Sequence, residues 1–198
     1  MKKVILFSLL SLCATLHSQT IKIENGLSFS SMYSNKFDIL NEDITNYGLN
    51  VGLDYFEHDL YYLSSEIGFI TKGGKEDDLF IGNEIINVKE SFQFVHLNTT
   101  IRLKYQVDNA HLFVGIGPKL DFLVGSGEFT DEIYTGYDMD KLSFGSKAEV
   151  GLVQDLNKIR IGLNLSYLIN FSGAARSEYI SIANNTYSLM FSIGYKLK

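Results

Sequence analysis

The sequence predicts an all-β fold: an eight-stranded, up-and-down antiparallel transmembrane β-barrel. Three observations predict it. Along eight segments, apolar residues alternate at period two with polar or small ones, the pattern of strands whose two faces meet different surroundings. The connections alternate long and short, placing four long loops at one end and three tight turns plus both termini at the other. One face of every segment is uncharged: none of its 52 positions is Asp, Glu, Lys or Arg, where the chain's 20% charged content leads one to expect about ten. A basic side chain facing mid-membrane lipid costs ~2–4 kcal/mol, which accounts for the exclusion.

The first strand runs from Ile21 to about Tyr33, with Ile21, Ile23, Leu27 and Phe29 on the uncharged face. A long loop, Ser34 to Asn46, leads to the second strand, Tyr47 to Phe56, where Leu49, Val51 and Leu53 oppose Gly48, Asn50, Gly52 and Asp54. Glu57, His58 and Asp59 turn the chain into the third strand, Leu60 to Lys72. Gly73 and Gly74 open a second long loop reaching about Ser91, and the fourth strand follows from Phe92 to Tyr105. The fifth, 111–124, is the clearest: Leu112, Val114, Ile116, Pro118, Leu120, Phe122 and Val124 alternate with His111, Phe113, Gly115, Gly117, Lys119, Asp121 and Leu123. A third long loop, about Gly125 to Asp140, precedes the sixth strand, Lys141 to Gln154. A turn at Asp155 to Lys158, in which Asn157 suits the bend, gives the seventh, Ile159 to Phe171. A fourth long loop reaches about Asn185, and the eighth strand is Thr186 to Leu197.

Two further patterns separate a membrane barrel from a soluble one. Ten strand glycines (26, 48, 52, 68, 115, 117, 145, 151, 162 and 194) lie on the polar face. Glycine weakens a strand that faces water, but inside eight strands it makes room for bulky neighbours. Aromatics on the uncharged face form two levels, Tyr55, Tyr61, Tyr105 and Tyr195 near the turns and Tyr33, Tyr47, Phe171 and Tyr187 near the loops, as interfacial girdles do.

The N-terminus reads as a signal peptide over residues 1–18, leaving a barrel domain over 19–198. Lys2 and Lys3 are its basic region and Val4 to Leu12 its apolar one. Cleavage is placed after Ser18, with Ala14 as the alternative. Cys13, the single cysteine, leaves with it, so neither a disulfide nor thiolate chemistry is expected. The formal net charge of −6 becomes −8 without Lys2 and Lys3. No later run reaches the ~18 apolar residues of a membrane helix.

Three segments carry a resemblance. GIGPKLDFLVG, from Gly115, resembles the Gly-x-Gly-Pro segment of the small outer-membrane β-barrels common in Bacteroidetes, termed porin-like or PorT-like. SSEIGFITKGGK, 64–75, resembles that family's third-strand ending, and LNTTIRLKY, 97–105, its fourth-strand segment ending in Lys-Tyr. The chain has Thr100 where the family usually carries proline, Ser166 before Tyr167 where it often has arginine, and a terminal Lys198 in place of an aromatic. The resemblance implies the barrel fold, location in the bacterial outer membrane, and a role as a PorT-like component of protein secretion or assembly.

The inward face carries Lys22, Glu24, Asp54, Glu66, Lys72, Arg102, Lys104, Lys119, Asp121, Lys141, Lys147, Glu149, Arg160 and Lys196: nine bases against five acids, a net of +4. Eight strands leave no broad lumen, so these groups are expected to form a plug of ion pairs in place of an ion path. His58 falls in a turn and His111 at a strand start, leaving His96 as the one interior histidine, near Asn98 and Thr100. No nucleophile motif, zinc spacing or phosphate loop occurs. No catalytic, cofactor-binding or metal-ligating residue is assigned, and the chain is expected not to be an enzyme. The loops are acidic: residues 125–140 hold Glu128, Asp131, Glu132, Asp138 and Asp140 with no base, matching no calcium loop. That balance disfavours nucleic acid. The expected partners are outer-membrane lipid and lipopolysaccharide, and a protein contacted through the extracellular loops. The rival readings are a narrow channel for ions or small solutes and a lipid-modifying enzyme at the barrel rim.

Overall fold

A computed structural model describes residues 19–34, 40–81, 84–125, 127–130, 138–172, 175–176 and 181–197. The signal segment placed at 1–18 lies outside these residues, as do Asp131 and Glu132 of the third loop. Eight strands form the wall: β1 (Thr20–Ser34), β2 (Ile44–Tyr55), β3 (Tyr61–Ile81), β4 (Glu84–Val107), β5 (Ala110–Val124), β6 (Leu142–Leu156), β7 (Ile159–Asn170) and β8 (Ser181–Lys196). Each pairs antiparallel with its predecessor, and β8 pairs with β1 from Thr20↔Lys196 to Ser34↔Ile182, closing the ring. Closure leaves no strand edge within the wall, the condition for a sheet to cross lipid. Two short pieces, Asp138–Met139 and Ala175–Arg176, add to β8 at its loop end.

The two faces separate as the alternation requires. Every position expected to face outward is exposed or half-buried, from Ile21, Ile23 and Leu27 on β1 to Leu189, Phe191 and Ile193 on β8. The expected aromatic residues are all outward too, and Tyr167 stacks on Tyr187 with ring centroids 4.6 Å apart. The inward glycines make room for charge. A Cβ on Gly115 would stand 2.9 Å from Cγ of Glu149, and one on Gly52 would stand 2.8 Å from Cγ of Glu66.

The largest departure is the second long loop. Residues 73–91, expected as loop, are mostly strand: β3 and β4 stay paired up to Ile81↔Glu84. Their alternation is interrupted by a register shift between Glu76 and Leu79, where Asp78 takes φ 59° and its N–H donates to Oδ1 of Asn87 at 2.9 Å. A bulge of this kind flips the inside–outside pattern partway along a strand, so a single period-two reading cannot follow the ribbon past Lys75. Ten residues from Lys72 to Ile81, at ~3.4 Å each, make a ribbon about 30 Å long that continues past the ends of β2 and β5. One of its faces, with Leu79, Ile86 and Val88, packs onto the barrel mouth.

Candidate functional site: the filled interior and its outer mouth

The inside of the barrel is built in layers. At the turn end, Tyr62 on β3, Phe113 on β5 and Val153 on β6 form a small apolar cluster. Arg102 lies 4.5 Å from the Phe113 ring centroid, and Arg160 5.9 Å from that of Tyr62. Below this cluster the turns reach back over the rim. Glu57 accepts from Arg160 at 2.9 Å and from Lys104 at 2.9 Å, while Asp155 accepts from Arg160 Nε at 2.8 Å and pairs with Lys196 at 2.8 Å. Burial works against the Glu57 carboxylate, yet Arg160 and Lys104 outweigh it and hold the group below its ordinary range.

The middle layer is ionic. Arg102 donates from Nε to Glu149 Oε1 at 2.6 Å and from Nη2 to Glu149 Oε2 at 2.9 Å, and Nη2 also reaches Glu66 at 2.8 Å. Lys147 donates to Glu66 at 2.5 Å and stands 3.0 Å from Glu149. Lys22 donates to Glu24 at 2.6 Å and Glu66 at 2.7 Å. Thr100 and Asn164 complete Glu149 at 2.6 and 2.9 Å. Shared partners of this kind are what make buried charge tolerable, because an ion left unpaired in a dry interior is far more costly than one that is paired. The cavity enclosed beside Lys22, Asp54, Arg102 and Arg160 is about 10 Å³, room for about one water.

Towards the loops, Lys72 donates to Asp121 at 2.5 Å, and Lys119 bonds both Asp121 and Asn170. His96 shares a hydrogen bond with Asn50 at 2.7 Å. Above them the interior turns apolar. Met32, Leu40, Ile70, Val88, Phe92, Phe94, Met139, Leu168 and Ile182 form one buried cluster. Leu40 comes from the first loop, is fully buried, and holds φ 45°. Its segment is fastened by paired backbone bonds between Glu42 and Lys75, at 3.1 and 3.0 Å.

Most of the inward charges sit where the sequence places them, with two corrections. Lys141 is exposed, because it precedes β6 and never enters the wall. His96 is not the sole interior histidine: His111 is also buried, its ring edge-on to Tyr62 at 5.7 Å. With Lys141 outside and Lys104 and Lys196 at the rim, the fully buried charges of the eight strands are Lys22, Lys72, Arg102, Lys119, Lys147 and Arg160 against Glu24, Asp54, Glu66, Glu90, Asp121 and Glu149. Six cations against six carboxylates balance to zero in place of +4. Sequence reasoning missed the apolar stopper and the return of Glu57 and Asp155. The signal for the first was present, since inward positions near the loops read Met32, Ile70, Phe92, Phe94 and Leu168. Among the described residues no group of three or more His, Cys, Asp or Glu is placed to hold a metal ion.

An uncharged exterior, closed pairing and a filled core define a class: the chain is a small eight-stranded β-barrel of the transmembrane type. Solved structures bear this out. Neisserial surface protein A aligns over 90% of this chain and 98% of its own, with a TM-score of 0.57 and 7% identity. Outer membrane protein AlkL, solved in DMPC bilayers, aligns over 89% of this chain and 90% of its own (TM-score 0.50, 11% identity). A major outer membrane protein from Thermus thermophilus aligns over 91% of this chain and all of its own (TM-score 0.50, 12% identity). The fold is thus that of bacterial outer-membrane barrels; identities this low carry nothing about role. No protein-family model matches the sequence, and no curated protein matches it.

Proposed function

We propose that this chain is a non-enzymatic, non-conducting integral protein of the bacterial outer membrane, a closed barrel that presents acidic loops for contact with another protein. The observation that carries this reading is the continuous filling of the interior: an apolar cluster at the turn end, a neutralising ion network at mid-height, and an apolar stopper at the loop end. A channel needs a wetted path, and none of these layers supplies one. The apolar belt on the outside would sit in lipid, with the turns and termini on the periplasmic side and the long loops outside. A component role in secretion or assembly rests on the resemblance of three strand segments to the PorT-like barrels alone. Reconstitution in planar bilayers tests the closed interior. No steady conductance is expected at any applied voltage, and a reproducible open state would overturn it.

A further inference from the structure

The three turns close the lower mouth of the barrel in different ways. The second and third are tied by main-chain bonds: the Asp155 N–H donates to the Asn109 carbonyl at 2.8 Å, and the Lys196 N–H to the Lys158 carbonyl at 2.8 Å. The first turn, 56–59, reaches across the mouth. It joins β2 to β3, yet its Glu57 accepts from Arg160 Nη2 on β7, almost opposite in the closed ring, at 2.9 and 3.1 Å. Lys104 on β4 donates to the same carboxylate at 2.9 Å. Among the described residues, its main-chain bonds outside the ladder are His58 N–H to Tyr61 at 2.8 Å and Lys104 N–H to Leu60 at 2.9 Å, both on its β3 side. Each turn also has a residue in the left-handed region: Asp108 at φ 53°, Asn157 at 55° and Phe56 at 52°. Asp and Asn tolerate that conformation, whereas a bulky aromatic residue is strained by it. The first turn is therefore bent against its backbone preference and held by side-chain ion pairs.

Behind this turn lies His111. It is 1% exposed, its ring edge-on to Tyr62, the first inward residue of β3. Among the described residues neither of its nitrogens has a hydrogen-bond partner. The charges that bear on its ring are Arg160, Asp155, Lys104 and Glu57. A buried imidazole with both nitrogens bare has lost the bonds water gave it, and raising the turn would restore them. Strain at Phe56 and the bare imidazole thus oppose closure, while the Glu57 ion pairs favour it. Opposed contributions confined to one short segment make a two-state element. We propose that residues 56–59 form a lid over the turn-end mouth, latched by Glu57, and that its opening admits water to His111 while the ionic layer stays shut. That layer is independent of the latch, because Glu66 and Glu149 hold Lys22, Arg102 and Lys147 with no group from the turn. The lid opens a vestibule and not a path through the barrel.

The test is acylation of histidine by diethylpyrocarbonate on the whole protein in nanodiscs, followed for each histidine by peptide mass spectrometry. In the unaltered protein His58, exposed in the turn itself, should react fast and His111 slowly. His96, bonded to Asn50 deeper in the barrel, should stay unmodified over the same time. Glu57→Gln should raise the His111 rate at least fivefold, and Glu57→Lys, which sets like charge against Arg160 and Lys104, should raise it further. Asp59→Asn, an exposed change in the same turn, should leave the rate as it was. A silent His96 reports an intact barrel in every variant. If the Glu57 variants do not fold, salt decides on the unaltered protein: about 1 M screens ion pairs at the rim and should speed His111 alone. The lid is overturned if His111 reacts as fast as His58 in the unaltered protein at low salt. It is overturned equally if the His111 rate ignores both Glu57 variants, or salt where they do not fold, or if His96 rises in step with it.

Discussion

Glu149 is the residue on which the closed interior can be tested most sharply. It accepts from Arg102 at 2.6 and 2.9 Å, from Thr100 at 2.6 Å and from Asn164 at 2.9 Å, and it lies 3.0 Å from Lys147. Glu149→Gln keeps the shape but removes the charge, leaving Arg102 and Lys147 to share Glu66. Breaking a buried pair by deleting one partner costs ~3–5 kcal/mol, and the amide retains some hydrogen bonding, so the lower end, about 3 kcal/mol, is expected. With a urea dependence of ~2 kcal/mol per molar, the unfolding midpoint in liposomes should fall by about 1.5 M. The signal is intrinsic tyrosine fluorescence, since the chain has 12 Tyr and no Trp. The pair Arg102→Met with Glu149→Leu should recover more than half of the loss, because both charges go together and Glu66 keeps Lys22 and Lys147. An unchanged midpoint for Glu149→Gln would show that water screens the interior, and the ionic plug would fall.

Two further outcomes follow from the same structure. Ile116, 60% exposed midway along β5, should lose ~2–4 kcal/mol of folding stability in bilayers when changed to lysine; an unaltered urea midpoint would mean that this face does not meet hydrocarbon. Glu57, held below its ordinary range by Arg160 and Lys104 against the opposing effect of burial, should add stability that is full above the unfolded value of ~4.3 and lost as pH falls through the lower folded value. The gap in urea midpoint between the parent and Glu57→Gln should therefore close on acidification below about pH 4, and a gap constant from pH 7 to pH 3 would contradict the assigned pairing.

The alternation was legible because lipid and lumen make opposite demands on successive residues, and Leu112 to Val124 obeys both without a break. What period two cannot supply is height. Whether Glu149 meets Arg102, 47 residues away, depends on the stagger between strands, which no single strand records. The same gap hides the stopper: Phe92, Phe94 and Leu168 read individually as exceptions on a polar face, and only their common level at the mouth makes them a layer. Glu57 and Asp155 read as turn residues because they sit in or beside turns, yet a turn that closes over a narrow barrel places its carboxylates within reach of Arg160. The ribbon escapes for another reason, since the bulge near Asp78 shifts the register on which the reading depends.

The layers also differ in what would breach them, and this bears on function more than any one ion pair does. The mid-height network depends on charge balance, so it is sensitive to Glu66 and Glu149, each shared by several cations. The stopper depends on apolar volume and on Leu40, whose loop is held from outside by Glu42 and Lys75. A change that unbalances the network leaves Phe92, Phe94 and Leu168 in place above it, and a change that withdraws Leu40 leaves Lys72 and Lys119 gathered on Asp121 below. Two seals in series with unrelated physics make a poor gate, because no single ligand or charge acts on both. On the proposed closed-barrel reading they suit a strut, because each level of the wall is tied across by its own contacts.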